Sequence, residues 1–253
     1  MSKMMDLPAV VFFFALIALW LAARVGLGLA GRRKKMEAEE RDDFGMIVAA
    51  TLTLLGLIIG FTFSMAISRY DQRKNYEEAE ANAIGTEYVR ADLLPTADGA
   101  RVRELLRSYL RQRILYYETR DDGDLQRINA TTSQIQNDLW SAVRGPAAAQ
   151  PTAVSALTLA GMNDVLNSQG YTQAAWWNRI PVSAWGLMIL IGICCNLLIG
   201  YGGRNSESHR FLFLVLPLVV AISFFLIADI DSPRGGVILV RPQNLDSLAQ
   251  SLH

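Results

Sequence analysis

Hydrophobic residues in this chain gather in four blocks, 8 to 30, 44 to 68, 182 to 202 and 211 to 230, with a long polar stretch between the second and third. Each block is close to the ~20 apolar residues that carry a helix across a bilayer. The pattern predicts an all-α membrane protein: four transmembrane helices, with a helical-bundle domain inserted between the second and third. It divides the chain into residues 1–68, a first transmembrane pair; 69–181, a soluble bundle continuous with the second span; 182–230, a second pair; and 231–253, a carboxyl-terminal tail. Arg32, Arg33, Lys34 and Lys35 follow the first block without a small-residue cleavage pattern, so it reads as a retained helix and not a signal peptide.

Within the polar stretch the periodicity is helical throughout. No proline or tight turn separates Phe44 from Leu94, so the second span is expected to continue as one long helix until Pro95 stops it. Val102, Leu105, Leu106, Tyr109, Leu110, Ile114 and Tyr117 then recur at helical spacing, and a turn follows at Asp121 to Gly123. Leu125, Ile128, Thr132, Ile135, Leu139 and Val143 step by three and four, with Gly145 and Pro146 expected to end that helix. Pro151 is expected to open the next, through Val154, Leu157, Met162 and Val165. Trp176, Trp177 and Trp185 bracket the third span near Pro181, as an interfacial aromatic belt does.

Composition changes little in this picture. Residues 69 to 181 hold 13 Lys and Arg against 14 Asp and Glu, which gives no electrostatic footprint for nucleic acid. The loop 31 to 43, with Arg32 to Lys35 and Arg41, is expected in the cytoplasm by the positive-inside rule. A bacterial inner membrane location follows, with residues 69–181 and the carboxyl terminus extracytoplasmic; Arg69, Arg73 and Lys74 beyond the second span pull the other way.

Candidate chemistry is sparse. His209 and His253 are the only imidazoles, which argues against a Ser-His-Asp or Cys-His arrangement, so no catalytic residue is assigned. Cys194 and Cys195 are adjacent in the third span and lack disulfide or metal-site spacing. Asp121, Asp122 and Asp124 lack the twelfth-position glutamate of a calcium loop, and the Gly200, Tyr201, Gly202 triplet simply ends a span where a potassium filter needs a re-entrant loop. No metal and no cofactor is expected; the bilayer is the evident partner.

Three constellations remain. Thr53, Gly56, Gly60, Ser64 and Ser68, with Phe61 beside them, form one small, partly polar stripe on the second span, read either as close helix packing or as the wall of an oligomeric pore. Arg103, Arg107 and Arg111 form a basic stripe, either a solvated face or an attractor of anions. Arg69, Asp71 and Arg73 leave the second span at about the depth where Asp229, Asp231 and Arg234 leave the fourth, and carboxylates ending an apolar helix are costly unless paired, so a juxtamembrane ion-pair network is expected.

Arg69 to Arg73 leading into EANAIGTEYVRADLLP (Glu80 to Pro95), together with LIADIDSPRGGVILV (Leu226 to Val240), RSYLRQR (Arg107 to Arg113) and RIP (Arg179 to Pro181), resembles the bacterial bestrophin-like family of membrane proteins of unknown function. The resemblance implies a homo-oligomer, often a pentamer, around a central axis, with second-span side chains forming a narrow apolar neck that passes anions. Phe61, Ser64 and Ser68 are the neck positions it suggests. The chain departs from bestrophins proper in having no calcium clasp, and its basic loop argues for the opposite side for the soluble part. Two functions are therefore carried forward: an oligomeric anion channel, and a noncatalytic scaffold or sensor whose extramembrane bundle binds a partner or ligand.

Overall fold

In the computed structural model, which describes residues 7–32, 37–203 and 212–252, every regular element is helical. In chain order these are α1 (Pro8–Ala30), α2 (Ala38–Arg90), α3 (Thr96–Glu118), α4 (Asp122–Ala149), α5 (Ala153–Trp177), α6 (Val182–Gly202), α7 (Leu212–Asp231) and α8 (Gln243–Ser251), with a 3-10 turn at Ala91–Leu93. Four helices are long and apolar enough to cross a membrane, and they coincide with the four apolar blocks over the described residues. The chain divides into two compact units, one of Met1–Arg69 with Arg179–Leu239 and the other of Tyr70–Asn178 with Val240–His253.

The first unit is built on α1, which packs against α6 and α7. Close approach of α1 and α6 depends on two glycines. A Cβ on Gly26 would stand 2.2 Å from the Leu197 carbonyl oxygen, and one on Gly200 would stand 2.1 Å from that of Ala23, so backbone meets backbone with no room for a side chain. In a bilayer, where lipid is as apolar as leucine, such dense contact is what holds helices together. Gly200 of the filter-like triplet therefore serves packing, in the last turn of α6.

The second unit joins α2 from Tyr70 onward to α3, α4, α5 and α8. Its α3 packs on α4 and α8, and α4 on α5. The core holds Ile84, Val102, Leu106, Tyr109, Leu139, Val143, Met162 and Leu245, all nearly or fully buried. Asp121 caps α4, its side chain accepting the backbone N–H of Gly123 and of Asp124 at 2.9 Å each. The acidic turn is thus a helix cap.

Three boundaries differ from expectation. α4 runs through Pro146 to Ala149, because the proline lies in the last turn and the helix still closes with Gln150 N–H on the Pro146 carbonyl at 3.0 Å. α5 starts at Ala153 with Thr152 as its cap in a capping box with Ser155, not at Pro151. The region read as a tail contains α8, which belongs to the second unit.

Candidate functional site

The small stripe of α2 is open. Thr53, Gly56, Gly60, Phe61, Ser64 and Ser68 are all exposed, Phe61 by 63%, and a Cβ on Gly56 or Gly60 would meet nothing within 4 Å. Only 6% of the apolar window of α2 is buried, against 44% for α7. The glycines that bring one apolar helix backbone against another are elsewhere, Gly26 on α1 and Gly200 on α6. Within one copy of the chain, then, the stripe is a bare face of small and hydroxyl side chains around one aromatic ring.

The juxtamembrane residues divide between the units. In the first, Asp231 is almost fully buried and accepts Arg179 Nε at 2.9 Å and the Ile180 backbone N–H at 3.1 Å. Asp229, equally buried, accepts the backbone N–H groups of Val237 at 2.8 Å and Ile238 at 2.9 Å, closing the turn after α7. Gly236 is required there, since a Cβ would stand 2.6 Å from the Asp229 carbonyl oxygen. Arg234 is half-buried. Arg69 Nη2 lies 3.5 Å from Met65 Sδ, and its buried Nη1 has no hydrogen-bond partner. Asp71, in the second unit, is exposed, whereas Arg73 is buried and donates to the Ala175 carbonyl. Arg179 appeared in the sequence only inside the RIP motif; its role as a partner for Asp231, 52 positions away, carries no local signal.

The basic stripe is compensated. Arg103 pairs with Asp92, Arg107 and Arg111 share Glu104 at 3.5 and 3.8 Å, and Arg107 also lies over the Tyr88 ring and donates to the Leu252 carbonyl.

Sequence reading missed a charged seam. Arg73, Glu77, Glu80, Ile84 and Glu87 of α2, with Ala91 at the start of the 3-10 turn, repeat at alternating spacings of four and three, the spacing of a coiled-coil seam, and all six are buried. Glu80 binds Arg113 Nε at 2.5 Å and also accepts from Thr172 at 3.1 Å and Tyr117 at 3.5 Å. Arg113 lies over the Tyr116 ring, 4.5 Å from its centroid. Burial alone would pull the Arg113 guanidinium down, but the Glu80 charge beside it prevails and raises it above the ordinary arginine value. Burial, reinforced by Glu80, pushes the Tyr109 and Tyr117 phenols up. Glu77 accepts the Asn244 and Leu245 backbone N–H groups at 2.9 and 3.0 Å and the Asn244 amide at 2.6 Å, capping α8 from another helix. The signal that could have exposed the seam is Arg113 itself, a charge standing on the apolar face of α3 beside Tyr109, Leu110 and Tyr117.

Comparison with known proteins then places the chain. The Bestrophin-like domain matches residues 9–245. The chain belongs to the bestrophin-like family. A crystal structure of a bacterial bestrophin homologue from Klebsiella pneumoniae shares its fold at a TM-score of 0.63 and 14% identity, covering 95% of each chain. A single-substitution variant of that homologue gives 0.65 at 13% identity, covering 95% of this chain and 97% of the other. A crystal structure described only as a membrane protein, again a variant, gives the same values. No curated protein matches. The bestrophin-like resemblance read from Arg69 to Pro95 and from Leu226 to Val240 therefore holds at the level of family and fold.

Proposed function

We propose that this bestrophin-like chain is one subunit of a homo-oligomeric channel that passes anions such as chloride, with the α2 stripe lining the axis. The observation that carries the reading is the bare face of Gly56, Gly60, Phe61, Ser64 and Ser68 on the span least covered by its own chain. Small side chains gain nothing from facing lipid, whereas copies gathered round an axis use them for close approach. Phe61 rings turned toward that axis would offer their electropositive edges, which suits an anion better than a cation. A pentamer is the assembly suggested by the family resemblance. The assembly would lie in a bacterial inner membrane, with the basic loop after α1 inside and the second unit outside.

Purified protein in liposomes should carry chloride in a flux assay, and Phe61→Ala should widen the neck and raise the flux severalfold. Vesicles that stay tight to chloride with every variant, while the protein remains a folded oligomer, would make the chain a scaffold or sensor acting through its second unit.

A further inference from the structure

Of the three glutamates on the buried seam of α2, two are satisfied and one is not. Glu77 takes three N–H donors and Glu80 takes Arg113, Thr172 and Tyr117. Glu87 is just as deeply buried, yet both of its carboxyl oxygens lack any hydrogen-bond partner. It occupies a notch in α5 made by Gly161. A Cβ there would stand 2.0 Å from Glu87 Oε2 and 2.3 Å from Arg90 Nη1. The charged groups acting on Glu87 are Arg90, one turn along α2, and Asp164, one turn along α5; Asp92 on the intervening 3-10 turn is bound by Arg103.

An ionised carboxylate without donors is among the costliest groups to bury, while the neutral acid is far cheaper. Arg90 offsets only part of that cost, so the notch favours the acid over its conjugate base. We propose that Glu87 is a proton-operated latch: protonated, it fills the Gly161 notch beside Arg90 and lets α5 close on α2, and ionised, it leaves the notch for solvent, so that this end of the helix pair opens.

The electrostatics agree in direction and range. Burial, partly offset by Arg90 and reinforced by Asp164, pushes the Glu87 carboxyl up to about 8 from an ordinary value of 4.5. The closed packing then holds its proton more tightly than the open form does. Its advantage is complete below the ordinary value, declines as pH rises from 4.5 toward about 8, and has gone above that.

The test uses the full-length protein in nanodiscs, followed by isotope-edited infrared spectroscopy with labelled glutamate as pH is raised from about 6 to about 9.5. A protonated-carboxyl band should be present at the lower pH, vanish with a midpoint near 8, and be missing from Glu87→Gln. Spin labels at the exposed positions Val89 and Val154 should report a longer, broader distance at high pH in the otherwise wild-type protein and an unchanged one in Glu87→Gln. Absence of the band near pH 6, or an identical distance change in Glu87→Gln, overturns the proposal. Should Glu87→Gln fail to fold, Asp164→Asn decides: removing that charge must lower the band's midpoint, and an unmoved midpoint refutes the latch.

Discussion

Asp231 Oδ2 sits 2.9 Å from Arg179 Nε, and the same carboxylate accepts the Ile180 backbone N–H, so one buried side chain ties the end of α7 to the chain just ahead of α6. Because Asp231 is almost wholly buried and Arg179 is about a quarter exposed, removing the carboxylate charge should cost about 2 kcal/mol, less than a fully buried pair. Asp231→Asn and Arg179→Met should each lower the melting temperature in nanodiscs, and the double variant should lose less than the sum. Melting of Asp231→Asn at the wild-type temperature would show that the pair does not hold this junction.

The Glu80–Arg113 pair is sealed from water on both sides. Glu80→Gln should destabilise the protein by about 3 kcal/mol, because it strands the guanidinium in an apolar core. Replacing both residues by leucine should restore most of that loss, which a chemical denaturation series on the three variants would register.

Glycines of the first unit should respond in opposite ways to alanine. Gly26→Ala and Gly200→Ala drive a methyl group into a neighbouring backbone carbonyl and should abolish the folded protein or sharply reduce its yield in membranes. Gly60→Ala meets nothing within its own chain and should leave secondary structure intact, so any change appears only in the mass of the assembly by native mass spectrometry.

These contrasts show which features of the sequence were legible. The length of α2 could be read because no proline falls between Phe44 and Leu94, and the four spans because twenty apolar residues in a row admit few other structures. Partnerships could not be read. Glu77, Glu80 and Glu87 have the composition of a solvated face, and the groups they meet, Asn244, Arg113 and Gly161, lie far along the chain. The α1–α6 contact was hidden for the same reason: Gly26 and Gly200 look no different in sequence from Gly56 and Gly60, and only the fold shows which pair has a backbone against it.

Anchoring of α8 offers another check. Glu77→Ala removes three hydrogen bonds at its first turn, so amide exchange over residues 243–251 should speed up by about a hundredfold while that of α3 is little changed. Equal protection in both proteins would mean that Leu245 and Leu248 hold the helix by packing alone.

Orientation can be fixed by single cysteines. In a background with Cys194 and Cys195 replaced by alanine, Ser133→Cys and Ser247→Cys, both exposed, should react with an impermeant reagent added to intact cells. Reaction only after the membrane is opened would put both positions in the cytoplasm.

Glu77 and the two α8 N–H groups it caps are separated by 167 and 168 positions, and α6 and α7 are made in the interval. Translation therefore sets an order of events. Residues 70–178 emerge first but cannot receive their last helix until two further apolar segments have passed from the ribosome. During that interval Glu77 is without the N–H donors that Asn244 and Leu245 bring. A stall or a failed insertion at α6 or α7 would then be registered in the second unit, through the absence of its closing helix.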